Sequence, residues 1–146
     1  MKIKSFAVVV PMSDDRIFMM RRCGKHHIGM WEFPAGKGEY REDPKKTACR
    51  EFKEETSADV TSDALIPAMV TYTDSSYNGE LVHWNNHYFI VDTKAYRHTL
   101  KVVETETHDL CGWFTIAEAI KLYMNGEVVP VHAVILPFLQ CHKMGA

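Results

Sequence analysis

The sequence is poor in cysteine, and its cysteines are far apart. Cys23, Cys49, Cys111 and Cys141 are the only four. They form no CxxC pair, and no His/Cys spacing matches a zinc site, which excludes a disulfide framework and a structural zinc. Long apolar runs are missing too. None approaches the roughly 18 residues of a membrane span. The opening stretch, MKIKSFAVVVPMSDD, has a short apolar segment followed by two acids and lacks the small-residue cleavage site of a signal peptide. Charge of one sign is also scarce. The net charge is −2, which gives no global attraction to nucleic acid or to anionic lipid. No repeat, low-complexity tract or linker interrupts the 146 residues, so one domain is expected. These absences predict a cytoplasmic protein with reduced thiols, no membrane partner and no extended nucleic-acid partner. An anionic small molecule would have to be met by local cations or by a bound metal.

What is present reads as alternating strands and helices. IKSFAVVVP (3–11) is rich in β-branched residues, and RIFMMRR (16–22) follows it across an Asp-Asp turn as a hairpin partner. CGKHHIGM (23–30) is a loop, and WEFPAGKGE (31–39) a short strand broken by Pro34 and two glycines. Asp43 and Pro44 suit the N-cap and first position of a helix running to about Thr56. ALIPAMVTYTD (64–74) and ELVHWNNHYFIVD (80–92) read as strands joined through Asn78-Gly79. HDLCGWF (108–114) is a further strand. A helix capped by Thr115 ends at Gly126, and a final helix over 128–140 is bent or ended near Pro137. The order predicts an α/β protein, a mixed sheet with helices on its faces.

The stretch REFKEETS (50–57) carries most of the chemistry. On a helix over 44–56, Ala48, Cys49, Phe52 and Lys45 share one side. Glu51 and Glu55 are four apart, and Glu54 borders the same flank. Like charges at that spacing destabilise a helix by a few tenths of a kcal/mol per pair, roughly. Taken alone, the stretch is compatible with a solvated charged face. It is equally compatible with a site for Mg²⁺, a hard ion that takes oxygen ligands.

The longer string GKGEYREDPKKTACREFKEETSA separates the two. Gly36, Glu42, Arg50, Glu51, Phe52, Glu54 and Glu55 stand at the spacing G-x5-E-x7-R-E-U-x-E-E, which resembles the Nudix box. WEFPAGKGE resembles the lead-in of MutT-like members. The resemblance implies a single Nudix domain over 1–146, an α/β/α sandwich with a mixed sheet flanked by helices. It also implies a pyrophosphohydrolase that cleaves a nucleoside diphosphate linked to another group X, most simply a (d)NTP, by metal-activated water attack on phosphorus. ADP-ribose or nucleotide-sugar cleavage, and a non-hydrolytic nucleotide-binding module, are the alternatives. By the same resemblance Glu51, Glu54, Glu55 and the carbonyl of Ala35 hold Mg²⁺ or Mn²⁺. Arg50 orients Glu51, Glu54 is catalytic, and Gly36 and Glu42 support the loop or an outer metal. Two positions depart from the pattern. Ser57 stands where the box has glycine, and Ala58 where it has a bulky residue.

Beyond the box, a further catalytic glutamate is expected in the loop before residue 108, with Glu106 preferred and Glu104 second. Candidates for substrate contact are fewer. Trp84 lies on the even-numbered face of strand 80–92, with Val82, Asn86, Tyr88 and Ile90. His27 sits in the loop before the box. His132 stands near the place where MutT-like enzymes that hydrolyse oxidised guanine nucleotides use an asparagine.

Overall fold

The computed structural model describes residues 1–142. Seven strands form one mixed sheet. They are β1 (Lys2–Ser13), β2 (Arg16–Arg22), β3 (Trp31–Glu32), β4 (Ala35–Lys37), β5 (Ile66–Tyr77), β6 (Glu80–Asp92) and β7 (His108–Thr115). The helices are α1 (Pro44–Thr56), α2 (Ile116–Met124), α3 (Pro130–Ala133) and α4 (Leu136–Cys141). No helix among the described residues is long and apolar enough to cross a membrane.

β1 is the axis. One edge pairs in parallel with β6 along almost its whole length, and β6 pairs antiparallel with β5. The other edge splits. β2 pairs with it only at Met12 and Ser13, then diverges to take β7 and β3, while β4 pairs at Phe6, Ala7 and Val8. The split opens the sheet where the glutamates gather.

Side chains alternate across the sheet, and each face is buried under a different layer. Val8, Val10, Met12, Tyr88 and Ile90 pack with α2–α4, through residues such as Ala119, Leu136 and Leu139. Ala7, Val9, Phe89 and Val91 pack with α1, through Ala48 and Phe52. Strand 80–92 therefore buries both faces over 88–91, and only its first half has an open face.

The caps follow from the sequence. Asp43 accepts a hydrogen bond from the N–H of Lys45 at 2.8 Å, with Pro44 in the first turn of α1. Thr115 and Glu118 form a reciprocal capping box on α2. Asn78 and Gly79 both have positive φ, 51° and 77°, as a two-residue hairpin turn with the right twist requires. Ser57 ends α1 at φ 70°, the left-handed position that glycine normally fills. The final helix differs from expectation. It is two short helices, and Pro137 lies in the first turn of the second. A continuous helix would need the missing N–H of Pro137 to reach the carbonyl of Ala133, so the break falls between them.

Candidate active site

β4 presents two edges. Its pairing with β1 brings Ala7 opposite Gly36, and the N–H of Gly38 and the carbonyl of Pro34 also bond to β1. Antiparallel alternation turns the polar groups of Ala35 and Lys37 the other way, toward α1. There the N–H of Ala35 donates to Glu55 Oε1 at 2.8 Å, and the carbonyl of Lys37 accepts from Arg50 Nη2 at 3.1 Å. The carbonyl of Ala35 lies on this same edge.

The glutamates of α1 form a gradient from core to solvent. Glu55 is buried, Glu51 half-buried and Glu54 exposed. Arg50 ties them together. It donates to both oxygens of Glu42, at 3.0 and 2.9 Å, to Glu51 at 3.0 Å and to Glu54 at 3.4 Å. Glu42 also accepts from the Thr47 hydroxyl at 2.7 Å and from the N–H of Glu39 at 3.1 Å. Hydrogen bonds from Arg50 in particular hold the Glu42 carboxyl down to about 2, and the same pairing raises the Arg50 guanidinium. Glu51 moves the other way: burial and the charge of Glu54 raise it, and Arg50 offsets part of the rise. Glu55 is raised well above the usual range by burial, opposed by the N–H of Ala35 and reinforced by the charges of Glu32, Glu51 and Glu104. Gly36 lies directly beneath Glu51, where a Cβ would fall 2.0 Å from the carboxyl carbon.

This set consists of carboxylates and one backbone carbonyl. Carboxylates that repel one another, all hard oxygen donors, suit Mg²⁺ or Mn²⁺. Glu42 differs from them, since its oxygens are taken up by Arg50, Thr47 and Glu39.

In the loop before β7, the charge of Glu104 acts on Glu51 and Glu55. Val103 is anchored by its N–H to the carbonyl of Glu55, and the chain then turns back, with Thr107 and His108 donating to the carbonyl of Glu104. That turn places the Glu106 backbone against Gly24, where a Cβ would meet the Glu106 carbonyl at 2.8 Å.

The substrate-contact candidates also separate. His132 is buried, and its Nδ1 accepts from the N–H of Phe33 at 3.1 Å. Burial lowers its pKa, with Glu32 opposing, so it serves as a neutral core histidine and not as an exposed reader of a base. His27 is exposed at φ 54° in the β2–β3 loop, where its carbonyl accepts from Met30. Trp84 is half-buried, one strand beyond β1, donating to Ser75 Oγ at 2.8 Å and edge-on to Phe6.

A second cluster went unread in the sequence. Glu32 is buried between His108 Nε2 at 3.0 Å, Arg22 Nη1 at 3.0 Å and His132 Nε2 at 3.8 Å. Burial alone would raise its carboxyl, but His108, His132 and Arg22 outweigh that and bring it to about 2. Atoms of Glu32, Glu55 and His108 lie within 4.8 Å of one another. The available signal was a glutamate inserted between Trp31 and Phe33 in an otherwise buried segment.

The NUDIX domain family matches residues 1–138. The chain is a member of the Nudix family. An 8-oxo-dGTP diphosphatase of Proteus vulgaris is 38% identical to this Nudix chain over 66 residues, 44% of the chain and only 59% of that protein. Among solved structures, a MutT NUDIX hydrolase from Burkholderia pseudomallei superposes with a TM-score of 0.75 at 22% identity, over 94% of this chain and 98% of that one. The E. coli ORF135 protein superposes at 0.68 and 20% identity, over 100% and 96%. These likenesses establish the Nudix α/β/α sandwich.

Proposed function

We propose that this Nudix chain is a divalent-cation-dependent pyrophosphohydrolase acting on a nucleoside triphosphate or related nucleotide. The observation that carries the reading is the grouping of Glu51, Glu54 and Glu55 on the flank of α1 that faces β4, where the N–H of Ala35 bonds to Glu55, with Arg50 clamped to Glu42 beside them. The partial kinship to an 8-oxo-dGTP diphosphatase supports a nucleotide substrate.

In this reading Glu51, Glu54, Glu55 and Ala35 hold Mg²⁺ or Mn²⁺. The bound cation neutralises phosphate oxygens and lowers the pKa of a water. Arg50 is a positioning residue: locked to Glu42 and to the Lys37 carbonyl, it fixes Glu51 over Gly36. Glu54 is exposed and, among the described residues, held by a single 3.4 Å contact, which leaves it oxygen capacity to take the proton from water. Glu104 faces the same glutamates and is the second group suited to that role. Glu55 is held by Ala35 and sets the depth of the site.

The test is pyrophosphate and phosphate release from canonical and oxidised (d)NTPs, with Mg²⁺ or with EDTA, for wild type and Glu54→Gln. Turnover is expected to need the metal. The variant is expected to lose roughly 10²–10⁴-fold in kcat, the usual worth of a positioned acid–base group, while melting as wild type does. EDTA-resistant turnover, or a variant with the wild-type rate, refutes the assignment.

A further inference from the structure

The helical layer over the even-numbered face of β1 and β6 stops short. Val8, Tyr88 and Ile90 lie beneath it. Farther along, Phe6 stands opposite Asn86 and Lys4 opposite Trp84, while Asn86 and Trp84 face Thr71 and Thr73 on β5. Residues in register share a face. Phe6, Trp84 and Thr71 are half-buried and Thr73 exposed, so this part of the sheet is an open floor. It borders β4, where Lys37 is in register with Phe6 and Ala35 with Val8, and so runs up to the strand whose other edge faces the glutamates of α1.

Asn86 is set into that floor, only 2% exposed. Its amide orientation is fixed by a chain of protons. Tyr88 Oη donates its only proton to the carbonyl of Val131 at 2.5 Å. In the 3.2 Å contact between Tyr88 Oη and Thr71 Oγ1, the proton must therefore come from Thr71. Thr71 Oγ1 is left as an acceptor toward Asn86, which donates from Nδ2 to Thr71 at 3.3 Å and to Thr73 at 3.1 Å. A flipped amide would set its oxygen against an oxygen that has no proton to give. Both Nδ2 protons are thus engaged, and Oδ1 has no hydrogen-bond partner among the described residues. It is not sealed in either: among them, the buried side-chain polar atom that lacks a partner is Tyr96 Oη. The small remaining exposure of Asn86 includes that oxygen; its neighbours on this face are Phe6, in register with it, and Trp84, two residues along β6, whose half-buried rings meet edge-on.

We infer that Asn86 is a specificity-determining residue whose Oδ1 accepts a hydrogen bond from an amino group of the substrate base. The preferred substrate class is then a nucleotide with an amino-bearing base. An oxo group in the same place sets two acceptors face to face and leaves a largely buried acceptor without a donor, which disfavours it by roughly 10–100-fold. This rests on the nucleotide-hydrolase reading above.

The experiment measures kcat/KM with Mg²⁺ for dCTP against dUTP and dATP against dITP, which exchange an amino for an oxo group with a proton gained on the adjacent ring nitrogen, and for dGTP against dITP, which removes one amino group alone. Wild type is expected to favour the amino member of at least one pair by roughly 10-fold or more. Asn86→Leu is expected to bring that ratio close to one. The double variant Thr71→Val/Thr73→Val, which keeps Asn86 but frees its amide to turn, is expected to lower the ratio as well, and it carries the test if Asn86→Leu does not fold. Ratios near one in all pairs for wild type, or a preference that survives in the folded variants, overturns the inference while leaving the hydrolase reading standing. A folded protein with no turnover of any nucleotide refutes that reading, and this inference with it.

Discussion

Gly36→Ala perturbs the glutamate cluster at one point. Gly36 lies in a short strand without positive φ, so its backbone tolerates alanine. The added Cβ would fall 2.0 Å from Glu51 Cδ and 2.3 and 2.4 Å from its oxygens. Ordinary contact begins at 3.4 Å, so the carboxyl carbon must retreat by about 1.4 Å. Glu51 ends in a flexible chain and can move, but it then loses its 3.0 Å bond from Arg50. That bond, half in solvent, is worth less than the roughly 1.5–3 kcal/mol of a buried charge-assisted one. Replacing a strand glycine returns roughly 0.5–1 kcal/mol of backbone entropy. The net change in stability is therefore expected to stay within about 1 kcal/mol. Activity responds differently, because misplacing a group by about 1 Å costs on the order of 10²-fold. The assay is kcat/KM with a Mg²⁺ titration, beside thermal melting, for Gly36→Ala, Glu51→Ala and the double variant. If the clash acts through Glu51, alanine at 36 has little further effect once Glu51 is gone, a non-additivity expected of neighbours. Wild-type kcat/KM and metal response in Gly36→Ala would sink the reasoning.

Three other outcomes follow from the same geometry. Glu55 has a raised folded pKa, so its protonated form is favoured by the fold; the stability this gives is full at low pH and is lost as pH rises above the ordinary 4.5. Glu55→Gln is thus expected to be more stable than wild type at pH 7 without metal, and the gain should shrink at pH 5; equal melting at both pH values refutes this. Glu42 is depressed to about 2, so its contribution is present above pH 4.5 and is lost as pH falls from 4.5 toward 2. Glu42→Gln should therefore show a smaller fall in melting temperature than wild type between pH 5 and pH 3. Ser57 occupies φ 70°, a region that strains a residue with a Cβ by roughly 1–2 kcal/mol. Ser57→Gly should raise Tm by roughly 2–4 °C after its own entropic cost, and a lower Tm would show that the serine is not strained.

The box was legible because its spacing is local. Thirteen residues of helix from Pro44 to Thr56 suffice to set Glu51, Glu54 and Glu55 on one flank, whatever the rest of the fold does. The capped starts of α1 and α2 and the Asn-Gly hairpin were legible for the same reason: each is a bond between near neighbours. The approach of the Glu104 charge to Glu51 and Glu55 was not, since it depends on Val103 bonding to Glu55 and on the turn that follows. His132 looked available near the start of the final helix expected over 128–140, and only its burial against Phe33 and Glu32 makes it core.

By itself, then, the sequence determined the Nudix membership, the α/β layering and the clustering of Glu51, Glu54 and Glu55 on one helix flank, all set by residue type at short separation. Tertiary structure decided which edge of β4 faces α1, how Glu32 is caught between His108 and Arg22, and how a proton chain from Asn86 to Val131 orients one amide. The partners in those contacts are up to 76 residues apart (Glu32 against His108). No local periodicity encodes such pairs; they exist only after the sheet has split around β1 and both helical layers have closed on it.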